Sequence, residues 1–108
     1  IDKDPNTVQA LANAIVRAEK GIQAASFDDI AKVVPKSYLL GDPDLYKLAL
    51  QGNKEALSPD GMVPSDGPQT ALKAQAAYIA NFAADKINLS KIWTNDFVIK
   101  ANKKYPHA

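Results

Sequence analysis

Apolar residues recur along this chain at helical spacing, in blocks separated by proline, glycine and acidic caps. Val8, Leu11, Ala12, Ile15, Ala18 and Ile22 form one stripe, with Gln9, Asn13, Arg17 and Lys20 on the opposite side, which is the signature of a one-sided surface helix. Asp4 caps its start and Pro5 occupies N1, where a missing N–H costs nothing. The spacing predicts a first helix over 5–24. Ser26 followed by Asp29 has the arrangement of a capping box, and Asp28 and Asp29 complement the positive end of a second helix over 27–34, with Ile30, Val33 and Val34 inward and Pro35 as its stop.

Asp42-Pro43 repeats the cap-and-proline device and opens a third helix over 43–52. Leu45, Leu48 and Ala49 lie on one side, Tyr46 and Leu50 are close by, and Gly52 or Asn53 ends the helix in a left-handed conformation. Ser58-Pro59-Asp60-Gly61-Met62-Val63-Pro64-Ser65-Asp66-Gly67 then interrupts all regular structure. Pro59 suits the second position of a tight turn, Gly61 a position of positive φ, and Ser65 or Asp66 a helix cap. A fourth helix is predicted over 66–86, with Leu72, Ala76, Ile79 and Ala83 in one stripe and alanines on most other faces, so that it should be covered on two sides. Residues 87–93 read as extended or a single turn. Thr94 then caps a fifth helix over 95–104, which carries Phe97, Val98 and Ala101 on one face and ends before Pro106.

Composition narrows the fold without naming a function. The 108 residues, taken as one helical domain over 1–108, suffice for one core, and the alanine-rich, aromatic-poor content favours packed helices: an all-α chain of about five helices. A formal net charge of +1 gives no sign of a nucleic-acid partner, and no apolar run approaches the ~20 residues that span a bilayer. With no cysteine, disulfides and thiolate metal sites are excluded.

The residues that invite chemistry have structural explanations. Asp28 with Asp29, and Asp42 with Asp44, resemble carboxylate pairs but stand where helix dipoles and caps require acids. His107, the sole histidine, follows Pro106 near the chain end and has no second histidine with which to bind a metal. Lys100, Lys103 and Lys104 complement the C-terminal dipole of the fifth helix, and Trp93 beside Ile92 and Phe97 reads as core. Asn88-Leu89-Ser90 matches a glycosylation acceptor, which matters only in a eukaryotic secretory chain. No nucleophile, metal cluster or phosphate loop is visible, so the chain is not read as an enzyme; no catalytic, ligand-binding or metal residue is assigned, and no cofactor is expected.

The succession GDPDLYKLAL, SPDGMVPSDGPQTAL and INLSKIWTNDFV resembles the carboxy-terminal part of the periplasmic solute-binding proteins of the nitrate, sulfonate, taurine and thiamine-precursor class. The motif residues are Ser58 to Gly61, Asn88 to Ser90 and Thr94 to Val98. The resemblance implies a segment of a two-lobe α/β protein that captures a small solute for an ABC permease, in the periplasm or, in a Gram-positive, attached outside the membrane. The strand-rich lobes of that family have no counterpart here, and Trp93 stands where a smaller or tyrosine side chain is expected. The alternative is an autonomous helical module, an adaptor or small DNA-binding bundle, but Arg17 is the sole arginine, too few for a base-reading helix. An isolated segment of this kind is expected to form a weak homodimer through its alanine-rich fourth helix.

Overall fold

A computed structural model describes residues 1–39 and 41–107. Five α-helices run in chain order: α1 (Pro5–Ala24), α2 (Phe27–Val33), α3 (Pro43–Lys54), α4 (Gly67–Tyr78) and α5 (Asp96–Lys104). Three 3-10 turns, at Lys36–Leu39, Ala84–Lys86 and Leu89–Lys91, complete the regular structure, and there is no strand among the described residues. The chain is all-α.

The caps explain where the helices begin. Asp4 accepts hydrogen bonds from the Thr7 amide and hydroxyl at 3.1 and 2.7 Å, which holds its carboxyl below the usual range. At α2 the Asp29 amide donates to Ser26 Oγ at 3.2 Å and the Ser26 hydroxyl donates to Asp29 Oδ2 at 2.6 Å, closing the loop between cap and third residue. Asp42 Oδ1 accepts from the amides of Asp44 and Leu45, both at 3.1 Å. Asp66 precedes α4 without a side-chain cap bond, and Asn95, not Thr94, is the cap residue of α5. Thr94 Oγ1 still accepts from the Asp96 amide at 3.2 Å.

Two helix ends differ from the sequence expectation. α3 passes through Gly52 and Asn53 and stops after Lys54 with Glu55 in right-handed geometry, because Asn53 Nδ2 donates back to the Ala49 carbonyl and keeps the turn helical. α4 ends at Tyr78, not near residue 86. Ile79 is extended, Asn81 adopts φ of 60°, and the chain bends into the Ala84–Lys86 turn. Alanine content favours helix, but Asn81 tolerates the left-handed region better than most residues and breaks the run.

Packing departs further. α5 lies along α1 and forms the main helix pair, with Val16 and Ala101 fully buried. This seat is on the side of α1 that carries its polar residues: Gln9 Nε2 donates to the Phe97 carbonyl at 2.8 Å, Lys20 Nζ to the Tyr105 carbonyl at 2.6 Å, and Arg17 sits 4.9 Å over the Tyr105 ring. The Tyr105 carbonyl, past the last turn of α5, has no helical donor and takes one from Lys20, while Gln9 adds a bond to the Phe97 carbonyl in the first turn, both from residues that the periodicity places outward. The predicted inward residues Leu11 and Ile15 remain 60% and 57% exposed.

The smaller α2–α3 pair shows the same inversion. Ile30 is buried and Phe27 meets Tyr46 with ring centroids 6.0 Å apart, while Val33, Leu45 and Leu48 face out. α4 packs mainly against the Ala84–Lys86 turn, and the expected two-sided cover is absent among the described residues: Leu72 is half-buried, and Tyr78 is 90% exposed.

The result is open. The radius of gyration is 17.5 Å, against about 13 Å for a compact domain of this length. The accessible surface is 8244 Å² for 11.6 kDa, roughly 2,400 Å² above the expectation of about 5,800 Å² for a folded monomer of this mass.

Candidate functional site

The best-built local structure is the joint where Ser58–Val63 meets α1 and α5. Ser58 Oγ accepts from the Gly61 amide at 2.8 Å, and Asp60 Oδ1 accepts from the Met62 amide at 3.0 Å, so the two polar side chains fold the turn on themselves. Gly61 has φ of 74°, as its place in the turn predicts. The positive φ favours glycine, and a Cβ there would lie 2.8 Å from Glu19 Oε2 and 3.2 Å from Val16 Cγ2, so any other residue would also have to displace these two side chains.

Asn95 fastens the next residues: its Oδ1 accepts from the Val63 amide at 2.9 Å and its Nδ2 donates to the Val63 carbonyl at 3.0 Å. Asn102 Nδ2 donates to the Asp60 carbonyl at 2.9 Å. One amide side chain thus pairs with both backbone groups of a residue 32 positions away, as a neighbouring strand would.

Glu19 lies beneath this turn. Its Oε2 is buried without a hydrogen-bond partner. Burial, and secondarily the charge of Asp60, pushes its carboxyl above the usual range. Helical spacing places Glu19 one turn beyond Ile15 and two turns beyond Ala12, on the apolar stripe itself, a signal that a stripe drawn from apolar residues alone passes over; the approach of Gly61 covers it.

Beside the joint, an apolar groove of about 400 Å³ runs between α1 and the start of α5, with Leu11, Ile15, Trp93, Phe97, Val98 and Glu19 among its lining residues. Trp93 is half-buried on its wall. A second trough of about 540 Å³ lies between α1 and the α2–α3 pair, bounded by Ile22, Ile30, Val33, Val34, Tyr46 and Leu50. Neither brings together nucleophile, base and acid.

The residues singled out for chemistry fall into structural places. Asp29 accepts from Ser26 and pairs with Lys32 at 3.1 Å on the surface, which lowers its carboxyl below the usual range. Asp42 is a cap. Lys100 sits 5.9 Å from the Phe97 ring in the first turn of α5, and Lys104 sits 5.5 Å from the Tyr105 ring at its end. His107 lines a shallow groove with Lys20 and Pro59 and is exposed. Asn88 Oδ1 accepts from the amide and hydroxyl of Ser90 at 3.1 and 2.6 Å, which turns the backbone there. Among the described residues no group of three His, Cys, Asp or Glu is placed to hold a metal ion, and no helix is long and apolar enough to cross a membrane.

No family model matches the chain, and no curated protein matches it. The chain is similar to a solved structure from Bordetella bronchiseptica RB50, with 57% sequence identity and a TM-score of 0.93 over 95% of the present chain. That match covers 32% of the Bordetella chain, so the present sequence spans about a third of the chain it resembles. The same open helical arrangement therefore occurs as one part of a much longer polypeptide.

Proposed function

We propose that the chain is the C-terminal helical segment of an extracytoplasmic solute-binding protein, which captures a small solute of the nitrate, alkanesulfonate or thiamine-precursor type and delivers it to an ABC permease. The observation that carries this reading is that the motif segments meet in space. Ser58–Gly61 and Thr94–Val98, which bear the family resemblance, form one joint through Asn95, Val63, Gly61 and Val98. Residues far apart in sequence that resemble the same family, and that also hold each other in place, make a coherent unit rather than scattered matches. The role of this segment is structural: it frames the binding protein and leaves solute contacts to the lobes, at the crevice between them.

An autonomous adaptor or DNA-binding bundle fits less well. The radius of gyration of 17.5 Å is far from that of a self-sufficient bundle of this length, and Arg17 is engaged with Tyr105. Calorimetric titration of the full gene product with nitrate, taurine, a longer alkanesulfonate and an aminopyrimidine tests the proposal. Saturable binding of one of them, with a change in tryptophan fluorescence on closure, is the expected result. Absence of binding across the panel, together with salt-sensitive retention on heparin, overturns it in favour of a nucleic-acid module.

A further inference from the structure

The residues that the periodicity assigns to a core, but that no described residue covers, belong to more than one face. On α1 they are Leu11 and Ile15, on α3 Leu45 and Leu48, and just past α4 Ile79, all exposed, with the ring of Tyr78 beside Ile79 exposed too. Apolar stripes at helical spacing are where helices seat against a neighbour. Here α5 occupies the polar side of α1 and leaves Leu11 and Ile15 of the stripe open.

We propose that these faces, centred on the groove of Leu11, Ile15, Trp93 and Phe97, are a docking surface for a further region of the same polypeptide. That region corresponds to the two thirds of the Bordetella chain that lie outside the match. Three observations select this occupant over a second copy of the chain. The surface in excess of a compact monomer is roughly 2,400 Å², about three times what one partner contributes to a standard protein interface, and of the size found in permanent assemblies. The uncovered residues lie on three separate elements, α1, α3 and the end of α4, whereas a two-fold contact closes around one self-complementary patch. At 57% identity and a TM-score of 0.93, the arrangement recurs within a chain three times as long, so the shape is one that a larger body accommodates. The inference shares with the proposed function only the premise of a longer protein, and it does not depend on any solute.

The 108 residues contain no cysteine, so an introduced thiol is the single one in the short chain, and with any cysteine elsewhere in the full gene product replaced by serine it reports directly on cover in both. Leu11→Cys, Ile15→Cys and Tyr78→Cys, with Lys103→Cys as an exposed reference, are to be labelled with a maleimide in the 108-residue chain and in the full gene product. The expected result is ready labelling of all four in the short chain, and labelling of the first three slowed at least about tenfold in the full product while Lys103→Cys stays unchanged. Equal rates in both proteins overturn the proposal, as does a gene product with no additional region. Protection in the short chain that grows with concentration assigns the surface to a second copy and overturns the choice of occupant. Slowed labelling without solute binding leaves this inference standing and removes only the proposed function.

Discussion

The joint of α1, the Ser58–Val63 turn and α5 contrasts with the segment from α4 to Ile92. In the first, side chains of α1 and of α5 with its cap satisfy backbone groups across the molecule, as Gln9, Lys20, Asn95 and Asn102 do, and Val16 and Ala101 are sealed. In the second, hydrogen bonds are local, α4 rests against its own following turn, and Tyr78, Ile79 and Ile92 are open. Both stretches are rich in apolar residues. What separates them is whether another element of this chain is present to remove those residues from water. Stability in such a chain is unevenly distributed, with the joint at the high end and the α4 segment at the low end.

The contrast breaks most severely at Gly61. Gly61→Val introduces a β-branched side chain at φ of 74° and 2.8 Å from Glu19 Oε2, and should cost about 2–5 kcal/mol from backbone strain and overpacking together. Gly41 has φ of 72° but open space around it, so Gly41→Ala should cost only about 1–2 kcal/mol. Urea denaturation of the two variants separates strain from packing, and equal losses would mean that the joint is no tighter than an ordinary turn. Next in size, Asn95→Ala leaves the Val63 amide and carbonyl unpaired in a half-buried place and should lower stability by about 1–3 kcal/mol. A midpoint within error of the parent would show that water replaces the side chain without loss.

Titration of Glu19 sharpens the picture of the joint. Its carboxyl is raised above its ordinary value of 4.5, chiefly by burial and then by Asp60, so the folded state holds this proton more tightly than the unfolded state. Its contribution is complete below 4.5 and is lost as pH rises through the folded value. Stability should therefore decline from that point toward neutrality, and Glu19→Gln should flatten the decline and raise stability at pH 7. Asp4 and Asp29, lowered from 3.8 by Thr7 and by Ser26 with Lys32, act in the opposite sense and at lower pH, so the two effects do not overlap. A profile unchanged by Glu19→Gln places the titrating group elsewhere. The smallest effect belongs to the open segment: Tyr78→Ser in the 108-residue chain should change stability by no more than about 0.5 kcal/mol, because the ring leaves one exposed state for another. A loss above about 1 kcal/mol would show that α4 is already packed in solution.

Local rules were legible in the residues alone. Asp4-Pro5, Ser26 with Asp29, and Asp42-Pro43 specify helix starts because the cap bonds reach only two or three residues, and Gly61 announces its conformation by its place after Pro59-Asp60. The five helices and the absence of strand among the described residues follow from such signals. The length of α4 did not, because alanine propensity masks the break at Asn81. Nor was the site legible in advance: the buried oxygen of Glu19, the clamp of Asn95 on Val63 and the groove beside Trp93 each need partners distant in the chain. Periodicity identifies which side of a helix is apolar, but not which neighbour takes that side. Tertiary structure placed α5 on the polar flank of α1, where its carbonyls find donors, and left Leu11 and Ile15 facing outward.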